Sequence, residues 1–122
     1  METNTPKKKT PFVKRGQTKG PLLENILIDV AGFYKKSIAD IKSKDAHADL
    51  VSCRRLYCYI AWQITNATLK EIGAVICREH SNVLHHKNTS AYWVKTGQHE
   101  FVDDWFDYLE YTSLWGKYEK IR

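Results

Sequence analysis

Proline, glycine, methionine and cysteine are all scarce: 3 Pro, 6 Gly, 1 Met and 3 Cys in 122 residues. So few helix breakers leave room for long helices. The cysteines, Cys53, Cys58 and Cys77, are odd in number and form no C-x-x-C pair. That excludes a disulfide framework and predicts reduced thiols in a cytoplasm. No apolar run approaches the roughly 20 residues that span a bilayer, so no membrane partner is expected. The densest stretch, Leu56 to Ile64, is broken by Gln63 and by tyrosines. No apolar signal core follows Met1, because Lys7, Lys8 and Lys9 lead into polar sequence. No Gly-rich phosphate loop with Lys-Ser/Thr occurs, and no cofactor is expected. Alternating strand patterns flanked by turns are missing too, which predicts an all-α protein.

What is there is charge, unevenly spread. The net charge is +5. Residues 1–20 hold six basic groups and one acid, residues 21–97 ten and seven, and residues 98–122 three and six. A polyanion is drawn to the first segment and repelled by the last. Residues 1–20 have only two large apolar side chains, Phe12 and Val13, too few to offset the entropy of ordering. They read as a disordered basic arm carrying Lys7, Lys8, Lys9, Lys14, Arg15 and Lys19. Its charge serves either solubility or contact with a polyanion.

Helical periodicity begins at Pro21. Leu22, Leu23, Ile26, Leu27, Val30 and Phe33 predict a first helix over 22–35. Ser37-Ile38-Ala39-Asp40 has the form of a capping signal for a short second helix. Lys42 to Asp49 is polar and predicts a loop. Leu50 to Thr65 is apolar on several sides, as a central buried helix is. Thr68-Leu69-Lys70-Glu71 is a capping box opening a short helix over 68–76. Cys77 and Arg78 form a turn, and a further helix runs from Glu79 to about Lys95. Gly97 suits a left-handed cap. A last helix over 98–115 carries Phe101, Trp105, Tyr108 and Leu109 on one stripe. The expected architecture is a compact helical bundle: an arm at 1–20, a domain at 21–97, and an acidic aromatic helix and tail at 98–122.

A short capped helix, a tight turn and a helix with a polar start make the helix-turn-helix layout. In such motifs the second helix enters the major groove with its N-terminus first. That start offers Glu79, His80, Ser81 and Asn82. Asn can pair with adenine, Glu can accept from cytosine, Ser can meet either kind of edge, and His can donate or accept.

The stretch from Ile26 to about Ala91 resembles the C-terminal DNA-binding domain of the bacterial replication initiator DnaA. The resemblance rests on Val30-Ala31-x-Phe33-Tyr34, Ile38-Ala39-Asp40-Ile41, Ser43-Lys44, Arg54, Ala61 with Thr65, and Leu69-x-Glu71-Ile72-Gly73. Its most specific part is Arg78-Glu79-His80-Ser81-Asn82-Val83-Leu84-His85. It implies that residues 79–82 face bases, that Arg54 holds a phosphate, and that the loop at 42–52 approaches the minor groove. Lys44, Lys70, Arg78, His85 and Lys87 complete the phosphate candidates. The chain departs from the pattern in three ways. The loop reads Lys44-Asp45-Ala46-His47-Ala48-Asp49 where the family is rich in arginine. The turn is a residue shorter and has Cys77 where glycines are usual. The ATPase module of the initiator is absent, so the sequence reads as a stand-alone DNA-reading domain.

Blander readings compete. Cys77, His80 and His85 could gather on one helix face, but structural zinc needs four closed ligands from well-spaced pairs, so no metal site is expected. Glu79, His80 and Asp45 do not supply the converging carboxylates of metal-dependent hydrolysis, so no catalytic residue is expected. The aromatic stripe of the last helix packs on the core by default. Trp105, Tyr108, Tyr111 and Trp115 are its candidates for contact with a protein partner or a second copy. Two functional readings follow. The first is a non-enzymatic double-stranded DNA binder with sequence preference, serving replication control or transcription, with a phage or a mobile element among its candidate sources. The second is an interaction module that keeps the fold and binds a partner through the acidic aromatic helix.

Overall fold

The computed structural model describes residues 20–112, so the basic arm and Trp115 lie outside the described residues. The elements are all helical: α1 (Gly20–Tyr34), α2 (Ile38–Lys42), α3 (Ala48–Ile64), α4 (Leu69–Val75), α5 (His80–Thr96) and α6 (Phe101–Thr112). There is no strand among the described residues, and the chain is an all-α protein as its patterning predicts. Among the described residues, no helix is long and apolar enough to cross a membrane.

Helix α1 buries Leu23, Ile26, Leu27, Val30 and Ala31, which recur at helical spacing. It ends where Lys35 turns left-handed, at φ 59°. There the Lys36 N–H donates to the Ala31 carbonyl at 2.9 Å and the Lys35 N–H to Gly32 at 3.2 Å. These paired bonds satisfy carbonyls that a helix end leaves open. The Ser37 hydroxyl caps α2 by accepting from the Asp40 N–H. The capping signal thus does locally what its spacing predicts.

Helix α3 is the centre of the bundle. It packs against α1, α2, α4 and α5, and its buried residues run from Leu50 to Ile64 on nearly every side. Burying a Leu or Phe side chain contributes about 1.5–3 kcal/mol. Ten buried positions on one helix therefore make α3 the main source of cohesion. The Tyr57 hydroxyl donates to the Ile72 carbonyl at 2.9 Å and ties α4 to α3.

Helix α6 closes the bundle against α1 and α5. Phe101, Trp105, Tyr108 and Leu109 are buried in the same apolar cluster as α1 and α3. Tyr59 receives Phe101 and Trp105 edge-on at 5.8 and 4.9 Å, a favoured aromatic geometry. The helix starts at Phe101, three residues later than expected. The His99 ring stacks on Trp93 at 3.5 Å, and its Nδ1 accepts from the Phe101 N–H. That contact holds the chain in a bend before α6 begins.

Candidate nucleic-acid interface

Helices α4 and α5 form a helix-turn-helix whose geometry is fixed at both ends of α4. At its start the capping box is complete: the Glu71 N–H donates to Thr68 Oγ1 at 3.1 Å, and the Thr68 N–H to Glu71 Oε1 at 2.8 Å. At its end Cys77 takes the left-handed conformation at φ 59°. The Arg78 N–H donates to the Gly73 carbonyl at 2.9 Å and the Cys77 N–H to Ala74 at 3.2 Å. This Schellman turn folds the chain back over Gly73. A Cβ on Gly73 would stand 2.4 Å from the Arg78 carbonyl oxygen and 3.1 Å from Val83. Only glycine allows that approach. Ile72, Ile76 and Val83 are fully buried between the two helices.

Helix α5 emerges from this turn with Glu79 as its extended N-cap residue. The Glu79 side chain makes no capping hydrogen bond to the amides of its first turn. Glu79, His80, Ser81 and Asn82 are all exposed. The turn thus brings the four proposed base readers together at one helix start. Leu84 is also exposed, one turn on from His80 and Ser81.

The phosphate candidates divide. Lys44, Lys70 and His85 are exposed. The Lys87 ammonium lies 4.6 Å from the centre of the Trp62 ring, a cation–π contact that leaves it half-buried. Arg78 donates to the carbonyls of Ile76, Cys77 and Ser43. Arg54 departs furthest from expectation, being 3% exposed. Its Nε donates to the Ile41 carbonyl at 2.8 Å and its Nη2 to Asp40 and Ser43 at 3.2 and 3.1 Å. Three backbone carbonyls thus engage its Nε and Nη2, and the guanidinium holds the loop after α2.

That loop is less repellent to anions than its acids imply. Asp45 accepts from the His47 backbone N–H at 3.0 Å and also meets the His47 ring. The contact draws the Asp45 carboxyl below its usual range and raises the His47 imidazole. Asp49 pairs with Lys36 Nζ at 3.3 Å. Each loop carboxylate therefore has a local basic partner.

Trp105 and Tyr108, two candidates for a protein interface, are 3% and 1% exposed and belong to the core. Tyr111 is 56% exposed. Cys53 and Cys58 are buried, and burial pushes their thiols up to about 11 and about 12. Cys77 is exposed. No group of three or more His, Cys, Asp or Glu gathers in metal-binding range among the described residues. One cluster escaped sequence reasoning. The Arg55 guanidinium lies 4.9 Å from the Trp93 ring centre, and the buried His86 Nδ1 and Ser90 Oγ on α5 have no hydrogen-bond partner among the described residues.

A family model described as the bacterial dnaA protein helix-turn-helix matches residues 23–89. The chain belongs to this family. The chromosomal replication initiator protein DnaA of Methylibium petroleiphilum is 41% identical over 64 residues, which cover 52% of this chain and 14% of that protein. The DnaA of Leptothrix cholodnii is 42% identical over 64 residues, covering 52% of this chain and 12% of its own. That of Bordetella pertussis is 41% identical over 64 residues, covering 52% and 14%. The matched part is thus only about one-eighth of those relatives' length. The family match takes in most of α1, all of α2, α3 and α4, and the first ten residues of α5. The DnaA-type helix-turn-helix is DNA-binding in class, and its α6 lies beyond the matched residues.

Proposed function

We propose that this DnaA-type helix-turn-helix binds double-stranded DNA with sequence preference and acts in replication control. The observation that carries the reading is the exposure of Glu79, His80, Ser81 and Asn82 at the start of a helix held by the α4 capping box and the Cys77 turn. These side chains suit base edges in the major groove. Leu84, exposed on the same face, suits the methyl group of thymine. Lys44, Lys70 and His85 are exposed and would set the helix register on phosphates, which position but do not specify. The basic arm, from Lys7 to Lys19, adds phosphate contacts, each worth about 0.9 in the slope of log affinity against log salt.

The loop between α2 and α3 supports a different site preference from the initiators'. It offers Lys44, and His47 between the paired acids Asp45 and Asp49, where the resemblance leads one to expect arginines. Selection from random duplexes at near-physiological salt tests the reading. The expected result is an enriched motif bound at least about a thousandfold more tightly than random duplex. Binding no tighter than about micromolar, with no enrichment, overturns it.

A further inference from the structure

Helices α1 and α6 form a side of the molecule unlike the rest. Their sequences hold six carboxylates and no lysine or arginine. Glu24 on α1 and Asp103, Asp107 and Glu110 on α6 are exposed, and none of these four makes an ion pair among the described residues. Apolar groups stand among them. Ile28 is 52% exposed and Tyr111 56%. The two are close neighbours in the fold. Tyr111 crosses Gly32, where a Cβ would stand 2.8 Å from its hydroxyl, and Ile28 lies one turn before Gly32 on the same helix. A negatively charged face of this kind repels DNA and repels its own copy. It fits a basic segment that carries a few apolar side chains.

The chain contains one such segment. Lys7, Lys8, Lys9, Lys14, Arg15 and Lys19 surround Phe12 and Val13, and this stretch leads directly into α1 at Gly20. Reach is sufficient, since the eight residues from Phe12 to Gly20 extend to about 26 Å. Gly32, under Tyr111, lies only about 18 Å along α1 from Gly20. We propose that the acidic aromatic face of α1 and α6 is a docking site for the chain's own basic segment, residues 7–19. Phe12 and Val13 meet Tyr111 and Ile28 while the lysines and Arg15 meet Glu24, Asp107 and Glu110. The same cations cannot serve this face and DNA phosphates at once. Duplex DNA therefore competes for the segment, and the contact lowers affinity for non-specific DNA. The competition rests on the DNA-binding reading; the contact itself does not.

The test uses the whole chain with Thr10→Cys carrying a nitroxide in a Cys77→Ser background, and backbone amide signals as the readout. Without DNA and at low salt, the amides of Asp103, Asp107, Glu110 and Tyr111 are expected to lose at least half their intensity. They recover at high salt, where the screening length falls to about 3 Å near 1 M. Asp107→Asn with Glu110→Gln, both exposed positions, abolishes the loss. The double variant also binds random duplex several-fold tighter, and that gain disappears when Lys7, Lys8, Lys9, Lys14 and Arg15 are all changed to Gln. Full intensity at α6 in low salt overturns the proposal, as does broadening that survives the double variant. Broadening between separate labelled and unlabelled molecules also overturns it and assigns the face to another copy's segment. If the amides broaden but no duplex binds, the contact stands and only the DNA reading fails.

Discussion

The guanidinium groups of Arg54 and Arg78 meet on one acceptor, the Ser43 carbonyl, at 3.1 and 2.6 Å. One arginine comes from the central helix and the other from the turn before the reading helix. Together they fasten the α2–α3 loop to the helix-turn-helix. Burial, followed by the Arg78 charge, draws the Arg54 pKa down, yet the guanidinium stays charged at any working pH. Arg54→Ala leaves the carbonyls of Ile41, Asp40 and Ser43 without this donor. A loss of about 3 kcal/mol in stability is expected by denaturant unfolding. DNA affinity falls on all sequences because the loop is no longer held. The salt slope of binding stays as in the parent, whereas a lost phosphate contact would lower it by about 0.9. A lowered slope with unchanged stability would restore Arg54 to the phosphate contacts.

The reading and positioning groups separate by what their loss does. His80→Ala and Asn82→Ala are expected to cost about 1–3 kcal/mol on the preferred site and little on random duplex. Both side chains are exposed at the start of α5, so folding is spared. Lys70→Ala weakens both kinds of duplex alike and reduces the salt slope by about one. Competition binding at two salt concentrations distinguishes the patterns. Equal losses on both duplexes for Asn82→Ala would remove it from the base readers.

Cys77 and Gly73 set the turn from opposite sides. Cys77 holds φ 59° with a side chain, a conformation that costs about 1–2 kcal/mol outside glycine. Cys77→Gly relieves this at some cost in chain entropy, for a net gain of about 0.5–1 kcal/mol. Gly73→Ala pushes a methyl to 2.4 Å from a backbone carbonyl that cannot swing aside. A loss of about 2–3 kcal/mol is expected, with DNA binding falling as α5 is re-aimed. Thermal unfolding of the two variants should move in opposite directions. A stabilised Gly73→Ala would show that the turn is not tightly packed.

Much of this was legible in the sequence because it is local. The Thr68–Glu71 box, the Ser37 cap and the Gly97 stop, at φ 69°, act within a few residues. The stripe of Phe101, Trp105, Tyr108 and Leu109 has one apolar face, and that face is buried. What escaped depends on contacts distant in sequence. Arg54 reads as a surface charge by residue type. Yet its neighbours on the helix face, Leu50, Tyr57 and Cys58, are all buried, and a helix apolar on several sides was the available clue. The pairing of Asp49 with Lys36 joins two elements across the α2 turn. No pattern within the loop announces it.

His86 should make stability sensitive to acid. Its ring is half-buried, and its Nδ1 has no hydrogen-bond partner among the described residues. Burial first, then the charges of Arg55, His85, Arg54 and Arg78, press its pKa down to about 4. The groups that face it are thus cationic, on its own helix, on α3 and at the turn. In an unfolded chain the imidazole titrates near 6.5. The unfolded state therefore takes up the proton first as pH falls, so stability is full above about 6.5 and declines between 6.5 and 4. Partial exposure screens the effect, and about 1–2 kcal/mol of loss by pH 4 is expected. His47 runs the other way, since its pairing with Asp45 raises its pKa, but its exposure keeps that contribution small. Carboxylates also begin to titrate below pH 5, so the informative quantity is the difference between the parent and His86→Gln. Urea unfolding at pH 7.5, 6, 5 and 4 should show the two curves converging as pH falls, because the variant has no proton to gain. Parallel curves over the whole range would mean that His86 is not held neutral by its burial among these arginines.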